Sequence, residues 1–245
     1  PPNEVLTKLA ALFEGREWQK LELVCKRLLP LHPHSSPILN MLAISCRHLG
    51  NQATAEDFHK RAIEADPIQP ELFLNYGNSL RLFKKLRKAE SIFKEALRLS
   101  PKNSRILNSL GCLCDDLGKH REAAIYFKKA VAENPDYAEA ISNLGSAKLR
   151  NYDFANGWRL RESRWSDYDL KAEIQRFSKP QWDGKPTEHL FVWGEQGIGD
   201  EVMFGSCLDE LLCLSKKLTV SVNGKSLELF RRSFPRINFV DRNQL

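Results

Sequence analysis

A chain of 245 residues that is 42% apolar can bury more than one core, and no apolar run in it approaches the length of a bilayer span. The net charge of +6 invites a polyanion, but the densest basic run, Arg81-Leu82-Phe83-Lys84-Lys85-Leu86-Arg87-Lys88, has no stacking aromatics or groove-reading helix beside it. It reads as solvated charge at a turn and argues against nucleic acid. The six cysteines are scattered, and Cys112 and Cys114 point to different faces of a predicted helix. Free thiols, no metal site and a reducing, cytoplasmic compartment are the expectation, and nothing reads as a secretory signal.

In chain order, the first landmark is Pro33, followed one period later by Pro67, Pro101 and Pro135. Each closes a similar segment: EADP, RLSP and AENP end at the last three. Small residues recur at the same interval as Ala43, Gly77, Gly111 and Gly145, then as Ala55, Ala89 and Ala123, and again as Ala62, Ala96 and Ala130. Large apolar residues fall between them, as in Leu39, Phe73, Leu107 and Ile141, or Phe93 and Phe127. Small positions let two helices approach, large ones fill the gap between units, and proline stops the second helix. A period of 34 residues predicts a helix–turn–helix solenoid, and the pattern resembles the tetratricopeptide repeat (TPR) family over roughly two-thirds of the chain.

The ends of the array depart from the pattern. Residues 1–33 carry Leu21, Cys25 and Leu28 where later units carry small or aromatic residues. At the other end Gly157 replaces the expected alanine and no closing proline follows. Trp158 and Trp165, seven residues apart, are expected on one helical face, at a seam with a second domain. The expectation is a mainly α chain, with residues 1–165 a solenoid of about four full units plus atypical ends.

The TPR resemblance implies that first helices line a groove for a protein or peptide. One inner position recurs as Met41, Asn75, Ser109 and Asn143. An asparagine amide offers donor and acceptor together, as an extended peptide backbone requires. Such a ladder is similar to the groove of O-linked N-acetylglucosamine transferases, although asparagine is also common here in the repeat consensus, which leaves a structural role open. The groove candidates are Asn75, Asn78, Arg81, Ser109, Asp115 and Asn143, with Asp116 beside them.

After Trp165 the composition changes. Residues 166–188 read as a polar linker with a turn at Asp183-Gly184. Residues 189–245 then alternate strand and helix: strands at 190–193, 218–222 and 237–240, helices at 200–214 and 225–233. That order predicts a Rossmann-like parallel half-domain. Gly194, Gly197 and Gly199 have the spacing of a dinucleotide fingerprint, but the second strand runs into Asn223-Gly224-Lys225 without an acidic residue for a ribose, which argues against NAD. Gly224-Lys225-Ser226 lacks the upstream glycine of a P-loop.

PQWDG followed by LFVWGEQGIGDEVMF, from Pro180 to Phe204, resembles a bacterial group that joins TPR arrays to heptosyltransferase-like glycosyltransferases. The resemblance implies the acceptor-side half of a two-lobed GT-B enzyme, with a nucleotide sugar as donor and no other cofactor. It makes Asp200 the candidate general base and Gly197, Gly199, Glu195 and Gln196 substrate contacts. A carboxylate at a helix start is also favoured as a cap. Three strands do not complete a donor site, so the natural chain is expected to continue past Leu245. The alternative is a non-catalytic scaffold for protein–protein contact, or for self-association through the incomplete sheet.

Overall fold

A computed structural model describes residues 2–166, 178–195 and 197–244. The chain divides into two compact units, Pro1–Gln175 and Arg176–Leu245. The first is helical: α1 (Asn3–Glu14), α2 (Trp18–Leu28), α3 (Ser36–His48), α4 (Gln52–Ala65), α5 (Pro70–Leu82), α6 (Leu86–Leu99), α7 (Ser104–Asp116), α8 (His120–Glu133), α9 (Ala138–Arg150) and α10 (Phe154–Arg161). Helices α3, α5, α7 and α9 start 34 residues apart, and so do α2, α4, α6, α8 and α10.

The turn inside each pair repeats as strictly as the helices. Arg16, Gly50, Lys84, Gly118 and Tyr152 each take positive φ, between 54° and 82°. A left-handed residue ends the first helix and aims the chain back along it. Glycine takes this conformation freely, whereas Arg16, Lys84 and Tyr152 take it against their Cβ.

Packing follows from the small residues. A Cβ on Gly77 would fall 2.5 Å from the Phe93 ring, and one on Gly111 would fall 2.5 Å from Phe127. Phe93, Ala89 and Ala96 are fully buried, as are Ala123 and Ala130. One period before Phe93 the same place is held by His59, also fully buried, and its glycine is replaced by Ala43. After α10 the chain tightens into a 3-10 turn, Glu162–Ser166. Trp165 lies in that turn, so it does not share one continuous helical face with Trp158. Of the linker expected over 166–188, residues 167–177 lie outside the described residues, and its end is shorter than expected because Thr187 and Glu188 already belong to the first strand.

The second unit holds three parallel strands, β1 (Thr187–Trp193), β2 (Ser215–Val222) and β3 (Asn238–Asp241), ordered β1-β2-β3. Leu190 sits opposite Leu218, Val192 opposite Val220, and Val220 opposite Phe239. These residues and Leu208, Val222, Phe230 and Ile237 form one core. The helix expected over 200–214 is two pieces, α11 (Ile198–Gly205) and α12 (Leu208–Leu212), followed by α13 (Leu227–Ser233) between β2 and β3. The first piece ends where Gly205 meets the Phe230 ring, only 2.9 Å from where a Cβ would sit.

Candidate functional site: the inner wall of the helical array

Successive first helices touch, α3 with α5 and α5 with α7, and they do so with a stagger of one residue. Four side-chain pairs on this wall meet at an offset of 35, although Arg105 and Glu71 meet at 34. Two columns of contacts result.

The first column is built of amides. Asn75 Nδ2 donates to Asn40 Oδ1 at 3.3 Å, and Asn143 Nδ2 donates to Asn108 Oδ1 at 3.0 Å. The rung between them pairs Leu74 with Ser109 by sequence, and among the described residues no hydrogen bond forms there. The second column is ionic. Arg81 donates to Asp116 at 3.0 Å, and Arg150 donates to Asp115. The rung before them pairs Arg47 with Leu82, which has no charge to give.

Each column thus skips one rung, and all four residues of the skipped rungs line one hollow of about 400 Å³. Asn78, Arg81, Arg105, Asn108 and Cys112 line it too, with Tyr137 and Glu139.

The electrostatics differ around its wall. Arg105 is paired with Glu71 at 2.8 Å. Glu139 accepts from Asn108 at 3.0 Å and from the Tyr137 hydroxyl at 3.2 Å. Burial, and after it the Glu139 charge, push the Tyr137 hydroxyl upward, so it stays a donor. Burial alone would raise Asp115, but hydrogen bonds from Arg150 and His120 outweigh it and hold the carboxyl below its ordinary value.

Arg47 is the exception. Its Nη2 donates to His48 Nε2 at 2.8 Å, and its Nε, like that of Arg81, is buried without an acceptor, but unlike Arg81 it has no carboxylate partner among the described residues. Burial draws its pKa below the ordinary guanidinium value. His48 stacks flat on Trp18, with ring centroids 3.9 Å apart. Burial first, then the charges of Arg47 and Arg16, lower its pKa, which keeps the imidazole neutral and able to accept.

The groove residues named from sequence therefore separate into two groups. Asn75, Asn143, Arg81 and Asp115 tie one helix to the next. Asn78 and Ser109 line the hollow with no side-chain hydrogen bond among the described residues. Sequence reasoning missed Arg47 and Asn108. Arg47 stands one period before Arg81, and Asn108 stands 35 residues before Asn143, so each carried a signal that only the stagger of the helices makes readable.

In the second unit Asp200 occupies the first turn of α11, half-buried, its backbone N–H on the Gly197 carbonyl at 3.0 Å. A Cβ at Gly197 or Gly199 would meet nothing within 4 Å, so the segment leaves open space there. Glu195 is half-buried, and Gln196 lies outside the described residues. The neighbouring Glu201 is 8% exposed. It accepts from the Asn223 backbone at 2.9 Å and from Ser226 Oγ at 2.8 Å, and it faces Arg242, which in turn donates to the Gly194 carbonyl. Glu201 thus joins the loops that leave all three strands. Among the described residues no group of three His, Cys, Asp or Glu side chains could hold a metal ion, and no helix is long and apolar enough to cross a membrane.

Residues 77–138 match the tetratricopeptide repeat family model. Over 88 residues the chain is 34% identical to Protein FlbA of Caulobacter vibrioides, a match that covers 33% of this chain and 14% of that protein's length. Among solved structures, a thermophilic TPR protein of Thermus thermophilus aligns with a TM-score of 0.62 at 19% identity, covering 71% of this chain and 97% of that one. Pseudomonas aeruginosa pilF aligns with a TM-score of 0.61 at 16% identity, covering 96% and 90%. MamA gives 0.52 at 16% identity, covering 66% and 95%. At these identities the likeness is one of fold: the family match makes residues 77–138 tetratricopeptide repeats, and the solved structures share the helical unit's fold.

Proposed function

We infer that the helical unit captures an extended peptide segment of a partner protein in its hollow. One observation carries this reading. Asn78 and Ser109 face the hollow without hydrogen-bond partners among the described residues, at the place where both inter-helix columns skip a rung. An extended peptide brings an unpaired N–H and C=O at every residue, and an amide and a hydroxyl can satisfy both kinds. Leu74, Leu82 and Cys112 supply apolar wall for its side chains.

The test is a displayed peptide library panned on the 245-residue chain and on a Ser109→Trp variant, whose indole fills the hollow from a position outside the buried core. The wild type should enrich a related set of peptides that the variant does not hold. Enrichment of the same peptides to the same degree on both would contradict the reading.

A second reading concerns the smaller unit. Its parallel strands, the glycine-bearing segment after β1 and Asp200 in the first turn of α11 favour a Rossmann-like, acceptor-side half of a sugar-nucleotide-dependent glycosyltransferase. Asp200 would take the proton of an acceptor hydroxyl as its oxygen bonds to the sugar and the nucleotide departs with the electron pair of the broken bond. Glu195, Gly197 and Gly199, with Gln196, would face the substrates. Sugar transfer by the full protein should vanish in Asp200→Asn while the fold persists. Transfer that survives would leave Asp200 a helix-terminal carboxylate and no more.

A further inference from the structure

We propose that Arg47 receives the carboxylate of an aspartate or glutamate side chain on the captured peptide, at the rung Leu82 leaves open. The proposal rests on the reading of the hollow as a peptide site. Three pairs occupy the ionic column: Arg47 with Leu82, Arg81 with Asp116, and Asp115 with Arg150. The last two are closed by the chain's own charges. In the first, Leu82 is 61% exposed and apolar.

Arg47 therefore keeps a half-buried guanidinium at the wall of the hollow. Its Nε finds no acceptor, its Nη2 rests on a neutral imidazole, and among the described residues no carboxylate oxygen lies within ion-pair distance of it. A guanidinium partly withdrawn from water and without a counter-charge gains most from a carboxylate, which can take two parallel N–H donors at once. Leu82, on the same wall, offers apolar contact to the methylene stem of the incoming side chain.

The charges around Arg47 select one carboxylate and disfavour a polyanion. Arg81 and Arg105 are already matched by Asp116 and Glu71, and Glu139 adds a negative charge to the lining. A nucleic acid or polyphosphate laid across the hollow would meet the Glu139 carboxylate and two guanidinium groups already neutralised by Asp116 and Glu71. A peptide with one acidic side chain meets one unmatched cation, with Asn78 and Ser109 left for its backbone.

The experiment uses the 245-residue chain and short fluorescent peptides, acetylated and amidated so that one glutamate side chain supplies the sole carboxylate. The glutamate is moved along a Gly/Ser/Leu background, and each peptide has a glutamine twin. Anisotropy should show at least one glutamate peptide binding about tenfold tighter than its twin, the size of one charge-assisted contact. Arg47→Gln should bring the twins together. Leu82→Asp should do the same by closing the rung from within, with no fall in the melting temperature, which separates loss of the site from loss of the fold.

Equal affinity for both twins in the wild type would overturn the proposal and leave the peptide site standing. A glutamate preference that survives both variants would place the carboxylate elsewhere and overturn it too. Binding of no peptide at all would remove the peptide site itself.

Discussion

Phe93 fills the space that a side chain on Gly77 would need, since a Cβ there would lie 2.5 Å from Phe93 Cε1. The pair recurs one period later as Phe127 and Gly111 with the same separation. Ring and glycine are two halves of one packing decision, and neither can change alone. Gly77→Ala should destabilise the array by about 1–3 kcal/mol through overpacking, despite the better helix propensity of alanine. Urea unfolding of the two proteins checks this, and an unchanged midpoint would mean that the helices part without cost.

His59 stands where later units place phenylalanine, and this gives the array a pH dependence. Ser79 donates its hydroxyl proton to the Asn75 carbonyl at 3.0 Å, so it must accept from His59 Nε2 at 2.7 Å. A proton therefore sits on Nε2, while Nδ1 is buried with no acceptor for a second one. Burial, and after it the Arg47 charge, lower its pKa from 6.5 to about 3. Between those values the unfolded chain binds the proton and the folded one does not. Stability is therefore complete above the unfolded pKa and falls as the pH drops below it, by about 1.4 kcal/mol per pH unit. Denaturant unfolding between about pH 7 and pH 5, where carboxylates stay ionised, should show this slope in the wild type and a shallower one in His59→Leu.

The left-handed turn residue between α5 and α6 is Lys84, with φ 58°, where the units on either side have Gly50 and Gly118. Lys84→Gly should stabilise the array by about 0.5–1 kcal/mol, since glycine takes this conformation without Cβ strain. Thermal unfolding reads the sign. A lower melting temperature would show that unfolded-state entropy outweighs the strain.

Asn108 is the most connected polar side chain of the inner wall. It donates to the Tyr137 hydroxyl and to Glu139, and it accepts from Asn143. Asn108→Leu keeps the volume and leaves those three groups short of a partner, so it should cost about 1–3 kcal/mol. Asn78→Leu, at a residue with no such ties, should leave the midpoint within about 0.5 kcal/mol and weaken peptide capture. Comparable losses of stability would place Asn78 in the fabric of the array.

Much of this architecture was legible in the chain. The recurrence of Pro33, Pro67, Pro101 and Pro135 marks the units, and Gly77, Gly111, Phe93 and Phe127 mark the close approach of their helices. The stagger between neighbouring first helices was not legible, because it is set by how the whole array packs. Asn75 and Asn143 consequently read as a ladder toward a ligand, whereas their amide donors turn to Asn40 and Asn108. Arg47 was readable only through that stagger, because its meaning depends on Leu82, 35 residues away, being apolar. In the smaller unit the strand–helix alternation was readable from hydrophobic runs. The break between α11 and α12, at Ser206 and Cys207, left no such mark in the sequence.

The most direct test of the groove is NMR of the arginine Nε–Hε groups during titration with a glutamate-bearing peptide. The Arg47 signal reports the one buried Nε on this wall whose rung has no carboxylate. A large, saturable shift of Arg47, with Arg150 still on Asp115 and unmoved, is the predicted result. Saturable binding in which Arg47 stays still would contradict the account, because the peptide would then be held elsewhere.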